Sequence, residues 1–382
     1  MQLKNRSKRN VSALLCTSLL VLFLGLSGCN GRSTPKQDDI APKPPQQESE
    51  TLPEKNDTAP EPRKQDVPEI IPQEETLTLS VEVYEEGEVL TYGSEVYYRY
   101  GPSIIKYDDG SMDMWISSPG NSSSTWDWIR YRHSDDGIHW SEEEIVLKPT
   151  PGSKDQCSVC DPSVIFLDGY YYLAYTATDY YEGQGSRNQA FVARSQYPDG
   201  PFEKWNGTDW GGMPEPILTY EGEPEGWGVG EPCLLIKDDD LFIFYTYSDM
   251  TGAYVELAKA NLTENWPSTI RYKNRVLNRD HQDSLDVAYC EDLETFLGFS
   301  IDFKMSQSSC LAMYESSNGK EFTMIDSTKD FIKDYAHNVG FVKDPQGHMD
   351  IDDGILFGYA YGEDWGRWDF ILSHFYVKVS QQ

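Results

Sequence analysis

From about Leu77 to Gln382 the apolar positions follow a period of two rather than 3.6, and helical periodicity is nearly absent. Short alternating or aromatic runs recur, such as Tyr170-Tyr171-Tyr172-Leu173-Ala174-Tyr175, Leu241-Phe242-Ile243-Phe244-Tyr245 and Ile355-Leu356-Phe357-Gly358-Tyr359. Turn pairs separate them, among them Asp109-Gly110, Asp168-Gly169 and Asp353-Gly354. Many short strands joined by tight turns predict an all-β sandwich, barrel or propeller.

Internal repetition selects among these. Five segments begin alike: Gly101-Pro102-Ser103-Ile104, Asp161-Pro162-Ser163-Val164, Glu231-Pro232-Cys233-Leu234, Asp286-Val287-Ala288-Tyr289 and His337-Asn338-Val339-Gly340. Their starts lie 60, 70, 55 and 51 residues apart. Each runs into an acidic turn and a second apolar strand. Later strands repeat too: Trp126-Asp127-Trp128-Ile129 echoes Trp368-Asp369-Phe370-Ile371, and Ser134 to Trp140 matches Ser316 to Phe322 in spacing. Five copies of a four-stranded unit predict a five-bladed β-propeller over residues 77–382.

The chain ahead of that block has a different character. Lys4, Arg6, Lys8 and Arg9 precede an apolar stretch from Val11 to Leu26, the pattern of a secretion signal over residues 1–28. Its end, Leu26-Ser27-Gly28-Cys29, resembles a bacterial lipobox, which implies lipidation of Cys29. Residues 29–76 then contain nine prolines and no aromatic residue. Such a stretch cannot repay its ordering entropy by burial, so a disordered, polyproline-like linker is expected. It would reach on the order of 100 Å. The expected protein is extracytoplasmic, held at a bacterial membrane only through its lipid, and a monomer.

Charge narrows the partners. With 32 Lys and Arg against 63 Asp and Glu the formal net charge is −31, and loss of the signal would make the remainder more acidic still. Nucleic acid is disfavoured, because a polyanion gains nothing from such a surface, and acidic polysaccharides are disfavoured for the same reason. A mean hydropathy of −0.58 with one long apolar run argues against a polytopic membrane protein.

In a propeller the innermost strands line one axis, so the first residues of the repeats are expected to form a ring around one funnel: Gly101, Asp161, Glu231, Asp286, and His337 or Asn338. The runs Asp161-Pro162-Ser163-Val164 with Asp168-Gly169-Tyr170-Tyr171, and Glu231-Pro232 with Asp240-Leu241-Phe242-Ile243, resemble glycoside hydrolase family 43, the arabinanase and β-xylosidase-like five-bladed propellers. That resemblance spans the block from about Tyr98 onward. It implies hydrolysis of neutral arabino- or xylo-type glycans, with inversion, by carboxyl acid/base catalysis. Carried over by position, Glu231 is the general acid, Asp161 the second-repeat Asp that tunes pKa and orients the sugar, and His337 the axial histidine supporting a calcium ion. The first-repeat position, where the family has its base, is Gly101. Three readings follow: Asp161 or Asp286 is the base; another carboxylate such as Asp127 is; or the protein binds glycans without cleaving them. A phosphorylase would need a basic pocket beside Glu231, and the sequence places no Arg or Lys cluster there.

Trp227, in Glu225-Gly226-Trp227-Gly228, is a candidate for stacking on a sugar face, with Asp127, Trp128 and Trp368 (and Trp365 beside it) as further substrate contacts. Ser134 to Trp140 reads as a structural turn. The block holds five cysteines, Cys157, Cys160, Cys233, Cys290 and Cys310, an odd number. Cys157-Ser158-Val159-Cys160 has no second pair at zinc spacing, which leaves a local disulfide or reduced thiols.

Overall fold

A computed structural model describes residues 77–121, 125–180, 185–277, 284–351 and 354–381. The expected signal, Cys29 and the proline-rich linker lie outside the described residues.

The described chain is almost entirely β. A first strand, β1 (Leu77–Thr91), precedes β2 (Tyr100–Lys106), β3 (Met112–Pro119), β4 (Asp127–Ser134) and β5 (Glu144–Leu147). Four more form a sheet of their own: β6 (Ser158–Leu167), β7 (Tyr170–Thr178), β8 (Gln189–Ser195) and β9 (Glu203–Lys204). The next sheet is β10 (Gly228–Lys237), β11 (Asp240–Asp249), β12 (Gly252–Asn261) and β13 (Arg271–Leu277). Then come β14 (Asp286–Cys290), β15 (Thr295–Asp302), β16 (Cys310–Ser316) and β17 (Thr323–Thr328). The last strands are β18 (Ala336–Lys343), the short β19 (His348–Met349), β20 (Ile355–Tyr361) and β21 (Asp369–Gln381).

Within each unit consecutive strands pair antiparallel, and tight turns set the register. Asp168 and Gly169 both have positive φ, 50° and 85°, the hairpin geometry their residue types favour between β6 and β7. Ser134 to Trp140 is a structural turn as expected: the Ser134 Oγ accepts from the Gly137 N–H at 2.9 Å, and Ser316 does the same for Gly319 at 3.0 Å. The first and last described strands meet in one sheet. β1 pairs with β21, and β18 runs parallel to β2 through Val342–Ile104 and Lys343–Ile105, giving the order β1-β21-β20-β18-β2-β3-β4-β5.

The strands β2, β6, β10, β14 and β18 lie against one another at the centre. Eight of the ten residues in both β6 and β10 are buried, as expected for strands covered on both faces. Aromatic side chains fill the space between sheets: Phe299, Phe341, Phe357 and Phe375 in one cluster, Tyr172, Trp205, Tyr245 and Trp266 in another. Much of the core is aromatic.

Candidate active site

Each inner strand begins with the same backbone device. Gly101, Asp161, Glu231, Ser284 and Asn338 have φ of 57°, 49°, 47°, 56° and 48°. That left-handed region is unfavourable for any residue with a Cβ, so five recurrences at equivalent points mark one structural requirement. In four of these strands the register with the neighbour shifts at this point.

Side chains of adjacent strands hold the ring. The Asp161 N–H donates to Ser117 Oγ (2.8 Å), that of Glu231 to Thr176 Oγ1 (2.7 Å) and that of Ser284 to Thr246 Oγ1 (2.9 Å). Two residues further on a second ring repeats the device. Ser103 Oγ accepts from Val164 N–H, Ser163 Oγ from Leu234, Cys233 Sγ from Val287 and Asp286 Oδ2 from Phe341. At the fifth point stands Gly340, where a Cβ would fall 1.8 Å from the Pro102 carbonyl oxygen.

This alignment corrects one expected site residue. Asp286 belongs with Ser103, Ser163 and Cys233, and the position equivalent to Asp161 and Glu231 is Ser284. Asp286 is moreover fully engaged: Lys343 Nζ pairs with its Oδ1, and Cys233 Sγ lies 3.4 Å away. Lys343 is buried, and the charge of Asp286 holds its ammonium form against the cost of burial, leaving its pKa raised.

The first ring gathers the chemistry. Glu231, 9% exposed, accepts at Oε2 from Thr246 Oγ1 (2.7 Å) and at Oε1 from Asn338 Nδ2 (3.1 Å). Asp161, 8% exposed, accepts at Oδ2 from the Cys160 thiol (3.3 Å). Its Oδ1 is buried and, among the described residues, has no hydrogen-bond partner. Burial pushes the Asp161 carboxyl up to about 6; the Asp127 charge adds to this, against the Thr176 hydroxyl, the Cys160 thiol and Lys304. Gly101 adjoins it: a Cβ there would lie 3.3 Å from Asp161 Oδ1. Between these strands is a cavity of about 30 Å³, lined by Gly101, Ser103, Asp161, Ser163, Glu231 and Ser284 among others. It has room for a water molecule and none for a sugar ring.

Asp127, at the start of β4, comes to the same place. Tyr98 OH donates to its Oδ1 (2.8 Å) and Ser158 Oγ to its Oδ2 (2.7 Å). Burial raises its pKa, while Ser158, Tyr98 and Tyr100 favour the charged form. Asp127 and Asp161 are thus close enough to feel one another, and both differ from free carboxyls in solution. Repulsion of this kind separates the protonation states of neighbouring acids, as acid/base pairs require.

The expected aromatic contacts divide. Trp227 is partly buried, its ring against the backbone of Gly230, directly before Glu231. Trp128 is partly buried and donates from Nε1 to Thr125 Oγ1 at 2.9 Å. Trp368 does not present a free face: it is 5% exposed, with His337 at 4.4 Å, Tyr98 at 5.4 Å and Tyr100 at 5.8 Å between ring centroids. Its neighbour Trp365 is 79% exposed.

His337 is buried beneath Trp368. Its Nδ1 pairs with Asn338 Oδ1 (2.8 Å), and its Nε2 has no partner among the described residues. Burial lowers its pKa to about 4, with Lys304 acting in the same direction. Calcium takes six to eight oxygen ligands. Among the described residues no group of three or more His, Cys, Asp or Glu side chains is arranged to hold a metal ion, and the positive charge of Lys304 bears on His337. One histidine nitrogen under the charge of Lys304 is not the oxygen-rich donor set that calcium takes. Cys157, Cys160, Cys233 and Cys290 are buried free thiols.

Ser284, Asn338, Tyr98, Tyr100, Thr176, Thr246 and Lys343 complete the site, and of these only Asn338 stands out in the sequence. Ser284 carries a recoverable signal: Ser284-Leu285-Asp286 has the spacing of Asp161-Pro162-Ser163.

Comparison with known proteins adds the fold class. No family model and no curated protein matches the chain. Among solved structures it is similar to a family 117 glycoside hydrolase of the marine bacterium Zobellia galactanivorans, with TM-score 0.57 and 16% identity over 79% of this chain and 90% of that one. It is also similar to an α-L-arabinofuranosidase of Podospora anserina solved with cellotriose (TM-score 0.53, 11% identity, 78% and 97% covered). A third is an endo-arabinase of Bacteroides thetaiotaomicron (TM-score 0.50, 15% identity, 76% and 98% covered). The fold is therefore the propeller-like one of these glycoside hydrolases.

Proposed function

We propose that this protein is a glycoside hydrolase acting on arabinose- or xylose-type glycans from a five-bladed propeller, with β2, β6, β10, β14 and β18 as its inner strands. The carrying observation is the meeting, at one ring of left-handed residues, of Glu231 and a buried Asp161 whose carboxyl is pushed up to about 6. Glu231, oriented by Thr246 and Asn338, gives its proton to the glycosidic oxygen. Asp161 keeps a proton within the funnel at mildly acidic pH, and Asp127 takes one from the attacking water. Asp127 so supplies the carboxylate that Gly101 lacks. Asp286 is a structural anion paired with Lys343. Trp227, beside Glu231, is placed to contact the sugar.

The glycosidase neighbours support this reading. Inversion, attachment through Cys29 and an extracytoplasmic location belong to the same proposal, the first resting on the family resemblance and the other two on the sequence. Gly101 favours a second reading, a glycan-binding propeller without turnover.

The test is an assay of the wild-type chain, Glu231→Gln, Asp161→Asn and Asp127→Asn on arabino- and xylo-configured nitrophenyl glycosides and polysaccharides. Loss of turnover in all three variants is expected, with proton NMR reading the anomer first released. Full turnover in Glu231→Gln removes it from the acid role. Oligosaccharide binding by a wild type that cleaves nothing establishes the second reading.

A further inference from the structure

We propose that Trp365, Tyr97 and Tyr92 form an outer aromatic subsite that carries a glycan chain away from the funnel, so that the substrate is a chain of several sugars. This inference rests on the glycosidase reading and names its substrate class.

Exposure is the first observation. Trp365 is 79% exposed, Tyr97 60% and Tyr92 50%; among the described aromatic residues only Tyr197 and Phe303 are exposed as well, and neither lies in these segments. The three come from two segments, residues 92–97 and 362–368, which are fastened to each other. The Trp368 N–H donates to the Tyr97 carbonyl at 2.9 Å, and the Gly93 N–H to Asp369 Oδ1 at 2.8 Å. A Cβ on Gly93 would fall 2.7 Å from the Trp368 backbone nitrogen, so only glycine lets the segments meet this closely.

Backbone strain is the second. Tyr97 has φ 68° and ψ −70°, far outside the usual regions for a residue with a Cβ. Its N–H reaches Gly93 O at 3.1 Å, and its carbonyl is the one taken by Trp368. The Tyr98 N–H closes the turn on Val96 O at 3.0 Å, so backbone hydrogen bonds hold the strained residue while its ring stays exposed. Strain held by surrounding structure is characteristic of ligand sites.

Continuity with the funnel is the third. The Trp365 ring meets Trp368 edge-on at 5.0 Å, Trp368 meets His337 at 4.4 Å, and the adjoining Asn338 donates to Glu231. From Tyr97 the chain passes directly to Tyr98, whose hydroxyl donates to Asp127. The exposed rings therefore sit one layer outside the groups assigned to the reaction. Aromatic faces there suit the C–H faces of successive sugar rings. A second copy of the chain is a poor occupant, because a net charge of −31 opposes self-association.

The experiment uses the full chain carrying Glu231→Gln, so that ligands survive, with and without Trp365→Ala and Tyr97→Ala. Calorimetry follows arabino- and xylo-oligosaccharides from disaccharide to hexasaccharide. In the parent, affinity should rise with length. Trp365→Ala should lower hexasaccharide affinity about tenfold, roughly the worth of one aromatic contact, and leave the disaccharide unchanged. Unchanged thermal stability is expected for so exposed a residue. Equal loss at every length, or no loss at any, overturns the proposal. So does a shift from dimer to monomer in sedimentation on replacing Trp365, which would make the patch a self-association surface. If no oligosaccharide binds the parent and wild type cleaves none, the glycosidase reading itself has failed. Cleavage that is indifferent to chain length defeats only the subsite.

Discussion

The Asn338 side-chain amide donates to Glu231 Oε1 at 3.1 Å, although the two residues stand 107 positions apart in the chain. They are equivalent members of two inner strands, so the strand geometry, not a local motif, aims the carboxyl. Thr246 fixes the other oxygen, and its own oxygen takes the Ser284 N–H, which leaves its hydrogen for Glu231.

If Glu231 is the proton donor, its loss should depend on the leaving group. Glu231→Gln should lower kcat on unactivated arabinosides or xylosides by roughly 10²–10⁴-fold, the usual worth of general acid catalysis. Dinitrophenyl glycosides, whose leaving group needs no proton, should lose far less. Equal losses on both substrate types, measured by steady-state kinetics, would place Glu231 in another role.

Asp161→Asn should abolish activity and yet stabilise the protein. The folded carboxyl, raised to about 6, holds its proton more tightly than the unfolded one. Its contribution to stability is therefore complete below the unfolded pKa of about 4 and is lost as pH rises through about 6. At pH 7 to 8 the ionised, buried group opposes folding by an amount on the order of 1–3 kcal/mol. Thermal unfolding should show Asp161→Asn above wild type at pH 7.5, and the gap should close near pH 4. A constant gap would mean that the ionisation is not its source.

Lys343→Met should be strongly destabilising, by about 3–5 kcal/mol, because it strands the Asp286 charge inside the fold. Pairing it with Asp286→Leu should recover much of the loss, which urea titration of the two single variants and the double variant would measure. Additive losses would show that the pair does not act as a unit.

Gly340→Ala tests closure of the ring. With its new methyl 1.8 Å from a backbone oxygen, the parallel contact of β18 with β2 cannot form unchanged. A loss of about 3 kcal/mol or more is expected by denaturant titration, at the upper end of overpacking effects. Gly110→Ala, in open space, controls for a merely local turn effect.

The all-β class was legible because strand runs and Asp-Gly turns are local signals. The glycine at the first repeat was legible too. What failed was register in the fourth repeat: an acid drew the alignment to Asp286, two places beyond Ser284, because a serine carries no chemical signal of its own. Lys343 was invisible for a related reason, since its partner lies in another strand and only burial makes the pair matter. Residue type alone makes Trp368 a candidate sugar contact. The fold instead uses it as the floor beneath Trp365 and leaves the outer ring exposed.

The five left-handed positions have one further consequence. At Asp161, Glu231 and Ser284 the backbone N–H is held from outside by a hydroxyl of a neighbouring strand, so the shape there does not depend on which side chain it bears. Glycine, aspartate, glutamate, serine and asparagine all occupy it in this one chain. Such positions act as interchangeable sockets: an acid can be gained, lost or moved to the next strand while the architecture stays as it is, which is how a fold can outlast any particular chemistry set into it.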